Sequence, residues 1–150
     1  MMDISIKKMH EKAQLPEYQT DHSAGMDVSA CLDAPVTLSP MERKMIPTGL
    51  AIAIPEGYEG QIRSRSGMSL KLGIVVVNGV GTIDADYRGE VGVLMVNLSS
   101  EKYTINDGDR IAQLVIAAYA KASWQEVSDL DDTVRGSGGF GSTGFSAVQQ

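Results

Sequence analysis

Turn chemistry interrupts this chain too often for long helices to form. Pro47-Thr48-Gly49, Pro55-Glu56-Gly57 and Asn106-Asp107-Gly108-Asp109 each combine proline or small polar residues with a glycine. Proline presets φ and glycine supplies the backbone angles that tight turns need. Between these breaks run short β-favouring stretches, and helical periodicity is scarce. Such a pattern predicts an all-β sandwich or barrel. The candidate strands are Ile4–Met9, Met26–Ala30, Arg43–Pro47, Leu50–Ile54, Glu59–Ser64, Ile74–Val77, Val91–Leu98, Tyr103–Ile105, Arg110–Ala118 and Trp124–Val127. Only Gly67–Leu72 suits a short helix.

Two of these strands do not alternate between apolar and polar residues. Val91–Val96 and Ile111–Ile116 carry apolar side chains on both faces, so each is expected to be covered twice, between sheets or against another subunit. From about Ser128 the character changes: Asp129–Asp132 is acidic and Arg135–Gly144 is dominated by glycine, serine and threonine. Nothing there can bury an apolar face. A core over 1–128 followed by a mobile tail over 129–150 is the expected organisation.

The 150 residues suffice for one domain, and a formal net charge of −6 argues against a general nucleic-acid binder. A small anionic substrate stays admissible, because a few local arginines and backbone amides can hold it against the average field. No run of about 18 apolar residues offers a membrane span. The N-terminus lacks a signal-peptide profile, and the single cysteine, Cys31, cannot form an intramolecular disulfide. Cytoplasmic residence, or nuclear in a eukaryote, is the default expectation. Cys31 and Trp124 read as core residues, and His10 and His22 lack metal-ligand spacing.

Three polar clusters stand out. Gly136-Ser137-Gly138-Gly139-Phe140-Gly141 has the letters of a dinucleotide fingerprint, but no helix follows and no βαβ unit fits in the chain that remains. It fails as a P-loop too, with Ser142 where the lysine belongs. Two readings stand. One is a solvated linker. The other is a phosphate-binding flap, in which glycine amides, Arg135, Ser142 and Thr143 donate to phosphate oxygens and Phe140 stacks on something flat. In Gln61–Ser69, strand alternation puts Arg63 and Arg65 on one face, and Arg65-Ser66-Gly67 leads into the candidate helix N-terminus, a ready anion site or an ordinary exposed strand end. In Asn78–Gly89 a polar loop holds Asp84, Asp86, Tyr87 and Arg88; Asp-x-Asp serves catalysis, metal binding or a turn. Asp27 either serves a metal site or ends a turn, and Gln113, isolated in an apolar run, needs a hydrogen-bonding partner.

In order along the chain, Ala24–Ala30, Arg65–Met68, Asn78–Glu90, Gly108–Leu114 and Arg135–Gly144 resemble the five motifs of the trimeric dUTPase family. The resemblance runs from about Ser23 to Gly144, with mild departures at Met26 and at Ser64, where the family often has proline. It implies a jelly-roll-like β fold, a homotrimer with active sites shared between subunits, and hydrolysis of dUTP to dUMP and pyrophosphate with Mg²⁺. It further implies a supply of dUMP for thymidylate synthesis and a limit on uracil in DNA. Asp84 would activate the water that attacks the α-phosphorus, and Tyr87 would pack under the deoxyribose and exclude a 2′-hydroxyl. Asn78 with the loop Gly81, Thr82 and Ile83 would read uracil. Arg65, Ser66, Gly67 and Gln113 would hold phosphates, and Asp27 would act near Mg²⁺ through water. Arg135, Gly138, Gly139, Gly141, Ser142 and Thr143 would close over the terminal phosphates while Phe140 stacks on the base. The alternatives are a dCTP deaminase-like enzyme and a nucleotide-sensing interaction protein without turnover.

Overall fold

The computed structural model describes residues 2–139. It forms two units, Met1–Ala120 and Lys121 onward, and the first carries every strand among the described residues. The strands are β1 (Ser5–Lys8), β2 (Met26–Ser29), β3 (Val36–Leu38), β4 (Arg43–Pro47), β5 (Leu50–Ala53) and β6 (Tyr58–Arg63), then helix α1 (Ser66–Leu72). After it come β7 (Ile74–Val76), β8 (Gly81–Ile83), β9 (Gly92–Asn97), β10 (Tyr103–Ile105) and β11 (Arg110–Ala118). All pairings are antiparallel and most join strands distant in sequence. One sheet runs β2-β11-β6-β8, a second β4-β9-β7, and β1-β5 and β10-β3 form two-stranded ribbons.

The two larger sheets share one core. Val28, Ile62, Ile83 and Leu114 from the first meet Ile46, Ile74, Val93 and Met95 from the second in a single buried cluster. Burying a side chain of this size contributes roughly 1.5–3 kcal/mol, so the sheets are held face to face chiefly by these residues. The result is the all-β architecture that the turn spacing predicts, in the jelly-roll-like form that the resemblance implies.

Nine of the ten expected strands form, with ends within one or two residues. β3 and β8 were not expected: each has three residues, too few for alternation to register. The expected strand Trp124–Val127 does not form, and Trp124 is 95% exposed rather than in the core. No strand of the described residues pairs with that segment, and an unpaired strand has nowhere to send its backbone hydrogen bonds. β9 is only partly covered on its outer face. Val93 and Met95 are buried inward, whereas Leu94 is 39% exposed beside its cross-strand partner Met45, 66% exposed.

Between β7 and β8 the chain leaves one sheet and enters the other. Gly79, at φ 74°, makes that passage, with its N–H donating to Val76 O at 3.2 Å. Asn78 therefore lies at the seam of the two sheets, which is where the first half of the candidate site is built.

Candidate active site

A pocket of about 250 Å³ opens at this seam. Asn78, Gly81, Thr82 and Tyr87 line it together with Met45 and Leu94 of the second sheet. Gly81 makes room for Asn78: a Cβ there would sit 3.2 Å from Asn78 Nδ2 and 3.3 Å from Ile62 Cβ. Thr82 is exposed toward the pocket side of β8, while Ile83 is buried in the core, so Ile83 has only backbone to offer a ligand.

The loop after β8 braces itself. Tyr87 N–H donates to Asp84 O at 3.1 Å, closing a turn over Asp84–Tyr87. Arg88 Nη1 donates to Ala85 O at 2.6 Å and to Tyr87 O at 2.9 Å. The Tyr87 hydroxyl donates to Glu90 O at 2.9 Å, and its ring lies over Gly89, where a Cβ would be 2.6 Å from Tyr87 Cζ. Glu90 Oε1 accepts the Gly49 N–H at 2.7 Å, and the buried Thr48 Oγ1 donates to Val91 O at 2.6 Å, pinning the loop's end to the β4–β5 turn. Tyr87 is thus held in one orientation although 45% of it is exposed, and Asp84 stands exposed at the loop's start.

The second half of the site gathers on β2, β6 and β11. Arg63, Gln113 and Asp27 are cross-strand partners and share one face. The Asp27 side chain, 4% exposed, accepts from Gln113 Nε2 on Oδ1 at 3.2 Å and from Arg110 Nη1 on Oδ2 at 3.0 Å. Arg65 Nη2 lies 3.4 Å from the same Oδ2, and Arg65 Nη1 donates to the Arg110 carbonyl at 2.8 Å. Gln113 has the partner its isolated polar character demanded. Arg63 takes no part: its Nε donates to Gln61 Oε1 at 3.1 Å. Ser66 and Gly67 open α1 exposed, and no side chain caps the helix start. Ser64, where the family often has proline, accepts the Val76 N–H on Oγ at 2.8 Å and ties the end of β6 to β7. Nearby, burial pushes the Tyr103 phenol up, helped by the Asp109 carboxylate and opposed by the Arg65 guanidinium.

The two halves share one sheet, and only their outermost members sit on its opposite edges. Asp27 is on edge strand β2 and Thr82 on edge strand β8, with β11 and β6 between them. Three strand spacings make that roughly 14 Å. In the second unit Arg135 Nε donates to Gly138 O at 2.8 Å and Gly138 N–H to Arg135 O at 3.1 Å, a turn containing Gly136 at φ 51°. Gly139 ends the described residues; Phe140, Gly141, Ser142 and Thr143 lie outside them.

Sequence reasoning assigned no role to Arg110, Gln19, Glu90 or Met45. Arg110 and Glu90 stand inside recognised motifs, but only the fold shows that one holds Asp27 and the other the β4–β5 turn. Met45 carried no signal, since β4 meets the pocket through sheet packing alone. A larger cleft of about 450 Å³, lined by Ile4, Leu15, Tyr18, Ile52, Tyr58 and Ile116 among others, has no charged group for a phosphate.

The family model for dUTPase matches residues 11–144. The chain is 53% identical over 142 residues to a deoxyuridine 5′-triphosphate nucleotidohydrolase of Syntrophotalea carbinolica, covering 95% of this chain and 97% of that one. A protein of the same name from Rickettsia felis is 54% identical over 142 residues, covering 94% and 96%. Among solved structures, a mutant dUTPase of Staphylococcus bacteriophage 80alpha with dUpNHpp superposes with TM-score 0.87 at 31% identity, covering 97% of this chain and 100% of that one. A mutant dUTPase from phage phi11 of S. aureus, described for its coordination of a structural Mg(II) ion, superposes with TM-score 0.77 at 30% identity, covering 85% and 98%.

Proposed function

This chain belongs to the dUTPase family, and from that premise we propose how its two half-sites divide the work of hydrolysing dUTP to dUMP and pyrophosphate. The observation that carries the division is the pocket at the sheet seam, where Asn78, Thr82 and a locked Tyr87 surround a space of nucleoside size beside an exposed Asp84. The pocket takes uracil and deoxyribose. Asn78 with the backbone of Gly81–Ile83 reads the base edge, thymine is rejected by the bulk of its methyl group, and cytosine presents a donor where uracil presents an acceptor. Tyr87, fixed between Gly89 and Glu90 O, packs under the deoxyribose and rejects a 2′-hydroxyl.

Asp84 accepts the proton of a water as its oxygen bonds to the α-phosphorus, and the electron pair of the broken bridging bond leaves with pyrophosphate. Arg65, Ser66, Gly67 and Gln113 meet the phosphates, and Arg135, Ser142 and Thr143 close over their far end. Among the described residues no three His, Cys, Asp or Glu side chains gather into a metal cage. Asp27 has both oxygens engaged by Gln113, Arg65 and Arg110, which fits a Mg²⁺ ion carried by the substrate's phosphates and met by Asp27 through water, not one held by the protein alone. When bound, such an ion neutralises part of the phosphate charge.

The assembly is a homotrimer in this reading. The separation of Asp27 on β2 from the seam pocket beside β8 supports it, because a second copy can bring its Asp27 cluster to the first copy's pocket. So does the exposed apolar surface of Met45, Val77 and Leu94 next to that pocket. The single buried cysteine suits the cytoplasm. The deciding experiment incubates the protein with Mg²⁺ and dUTP, UTP, dTTP or dCTP and detects pyrophosphate. Pyrophosphate from dUTP alone is expected; ammonia from dCTP, or dUTP bound but not cleaved, overturns the reading.

A further inference from the structure

Arg110 joins the phosphate-end cluster into a closed ring. Its Nη1 donates to Asp27 Oδ2 at 3.0 Å and to Gln19 Oε1 at 3.0 Å. Its backbone carbonyl accepts from Arg65 Nη1 at 2.8 Å. Arg65 Nη2 returns to the same Asp27 Oδ2 at 3.4 Å, so Arg65 is attached to Arg110 twice, directly and through the carboxylate. Gln113 Nε2, on the other Asp27 oxygen at 3.2 Å, prevents that carboxylate from turning.

Hydrogen counting shows how each arginine enters the ring. A guanidinium has five N–H donors, two on each terminal nitrogen and one on Nε. Both hydrogens of Arg110 Nη1 are taken by protein, one by Asp27 and one by Gln19, so the edge of Arg110 that faces the cluster is turned to Asp27. Arg65 donates one Nη1 hydrogen to the Arg110 carbonyl and sets Nη2 in an ion pair with Asp27 at 3.4 Å, which keeps Nε and hydrogens on both terminal nitrogens for a ligand. One carboxylate facing two guanidiniums also leaves a net positive charge at the cluster, suited to phosphate. The ring spends Arg65's rotamer freedom before the substrate arrives, and an unheld arginine would lose that entropy on binding.

We propose that Arg110 is a positioning residue which, steadied by Gln19, holds Asp27 and through it fixes the guanidinium of Arg65 for the substrate's phosphates. The inference rests on the reading above that Arg65 meets those phosphates. Arg110 acts through Arg65 and Asp27 and touches no phosphate itself.

The test is a double-mutant cycle on the full-length protein, read as KM and kcat for dUTP and as the dissociation constant of dUpNHpp. Arg110→Gln is expected to raise KM and the dissociation constant by about tenfold, the loss of a charge-assisted hydrogen bond, with kcat nearly unchanged. In an Arg65→Lys background, which has already lost the planar guanidinium, Arg110→Gln is expected to add almost nothing. An equal tenfold effect in both backgrounds would mean that Arg110 meets phosphate independently, and no effect in either would mean that it positions nothing; each result overturns the proposal. Should Arg110→Gln fail to fold by circular dichroism, the cycle is run with Gln19→Ala, an exposed residue whose loss leaves the Asp27 pairs intact. A rise of about threefold confined to the Arg65 background supports the proposal, and unchanged constants refute it. A wild type that neither binds nor cleaves dUTP sinks both the function and this inference, whereas an active wild type with an additive cycle sinks only the inference.

Discussion

Replacing Gly89 with alanine should damage sugar selection far more than it damages the fold. The added Cβ would fall on the Tyr87 hydroxyl, 2.6 Å from Cζ and 2.9 Å from Cε2. Carbon atoms pack at about 3.5–4.0 Å, so the distal ring edge must retreat by roughly 1 Å. The ring is rigid, so the retreat rotates the whole side chain and breaks its 2.9 Å hydrogen bond to Glu90 O. That bond is worth about 0.5–1.5 kcal/mol, and with 45% of Tyr87 exposed there is room to move into. The melting temperature should therefore fall by about 1–6 °C. Catalysis is less forgiving, since a misplacement of about 1 Å at a reacting centre can cost about 100-fold. We expect kcat/KM for dUTP to drop by one to two orders of magnitude and the preference for dUTP over UTP to shrink by a similar factor. Pyrophosphate release from both nucleotides, measured beside a thermal melt, checks this. Wild-type discrimination in a folded Gly89→Ala protein would show that Tyr87 does not select the sugar, and a fall of more than about 10 °C would show that the loop is structural first.

Asp84→Asn should bind dUpNHpp with near-native affinity yet lose turnover by at least about 100-fold, as expected when a general base is removed; near-normal turnover excludes Asp84 as the base. Gly67→Ala adds a methyl group with nothing within 4 Å, so calorimetry should show stability unchanged or raised by up to about 1 kcal/mol through helix propensity. The same change should raise KM for dUTP if phosphate passes over that backbone, and an unchanged KM removes Gly67 from the site. Hydrogen bonding to the Ser39 N–H, then pairing with Lys44, holds the Glu42 carboxyl below its ordinary 4.5. A depressed carboxylate stabilises the fold above its unfolded pKa, and that contribution disappears as pH falls through the lower folded value. Glu42→Gln should therefore flatten the loss of melting temperature below about pH 4.5, by a small amount because the group is solvent-exposed, and an unchanged acid limb refutes the assignment.

The core was legible in the sequence because strand alternation and turn residues are local signals. Arg43–Pro47, Tyr103–Ile105 and Arg110–Ala118 begin and end where the residue pattern does. β3 and β8 were not legible, since three residues contain barely one alternation. Trp124 shows the opposite error. A large apolar residue is most simply a core residue, but burial is decided by what packs against it, and here nothing in the first unit's strands pairs with its segment. At the proposed site, the motifs pick out the residue types, while their pairwise partners are not legible in sequence. A lone Asp27 gives no hint in sequence of the two arginines that converge on it from β11 and the end of β6.

That convergence explains why residues far apart in the chain belong to one chemical unit. Asp27 and Arg110 are 83 residues apart, yet β2 and β11 are sheet neighbours, so one antiparallel pairing brings acid and base together. The same sheet sends β8 to its other edge, beside β6 and away from Asp27. A single sheet therefore assembles each half-site and separates Asp27 from the seam pocket. The half that holds charge is rigid before ligand arrives, because Asp27 is buried and every one of its contacts crosses between strands or from a strand to its flanking loop. The nucleoside half is rigid for a different reason: Tyr87 is wedged between a glycine and a carbonyl of its own loop.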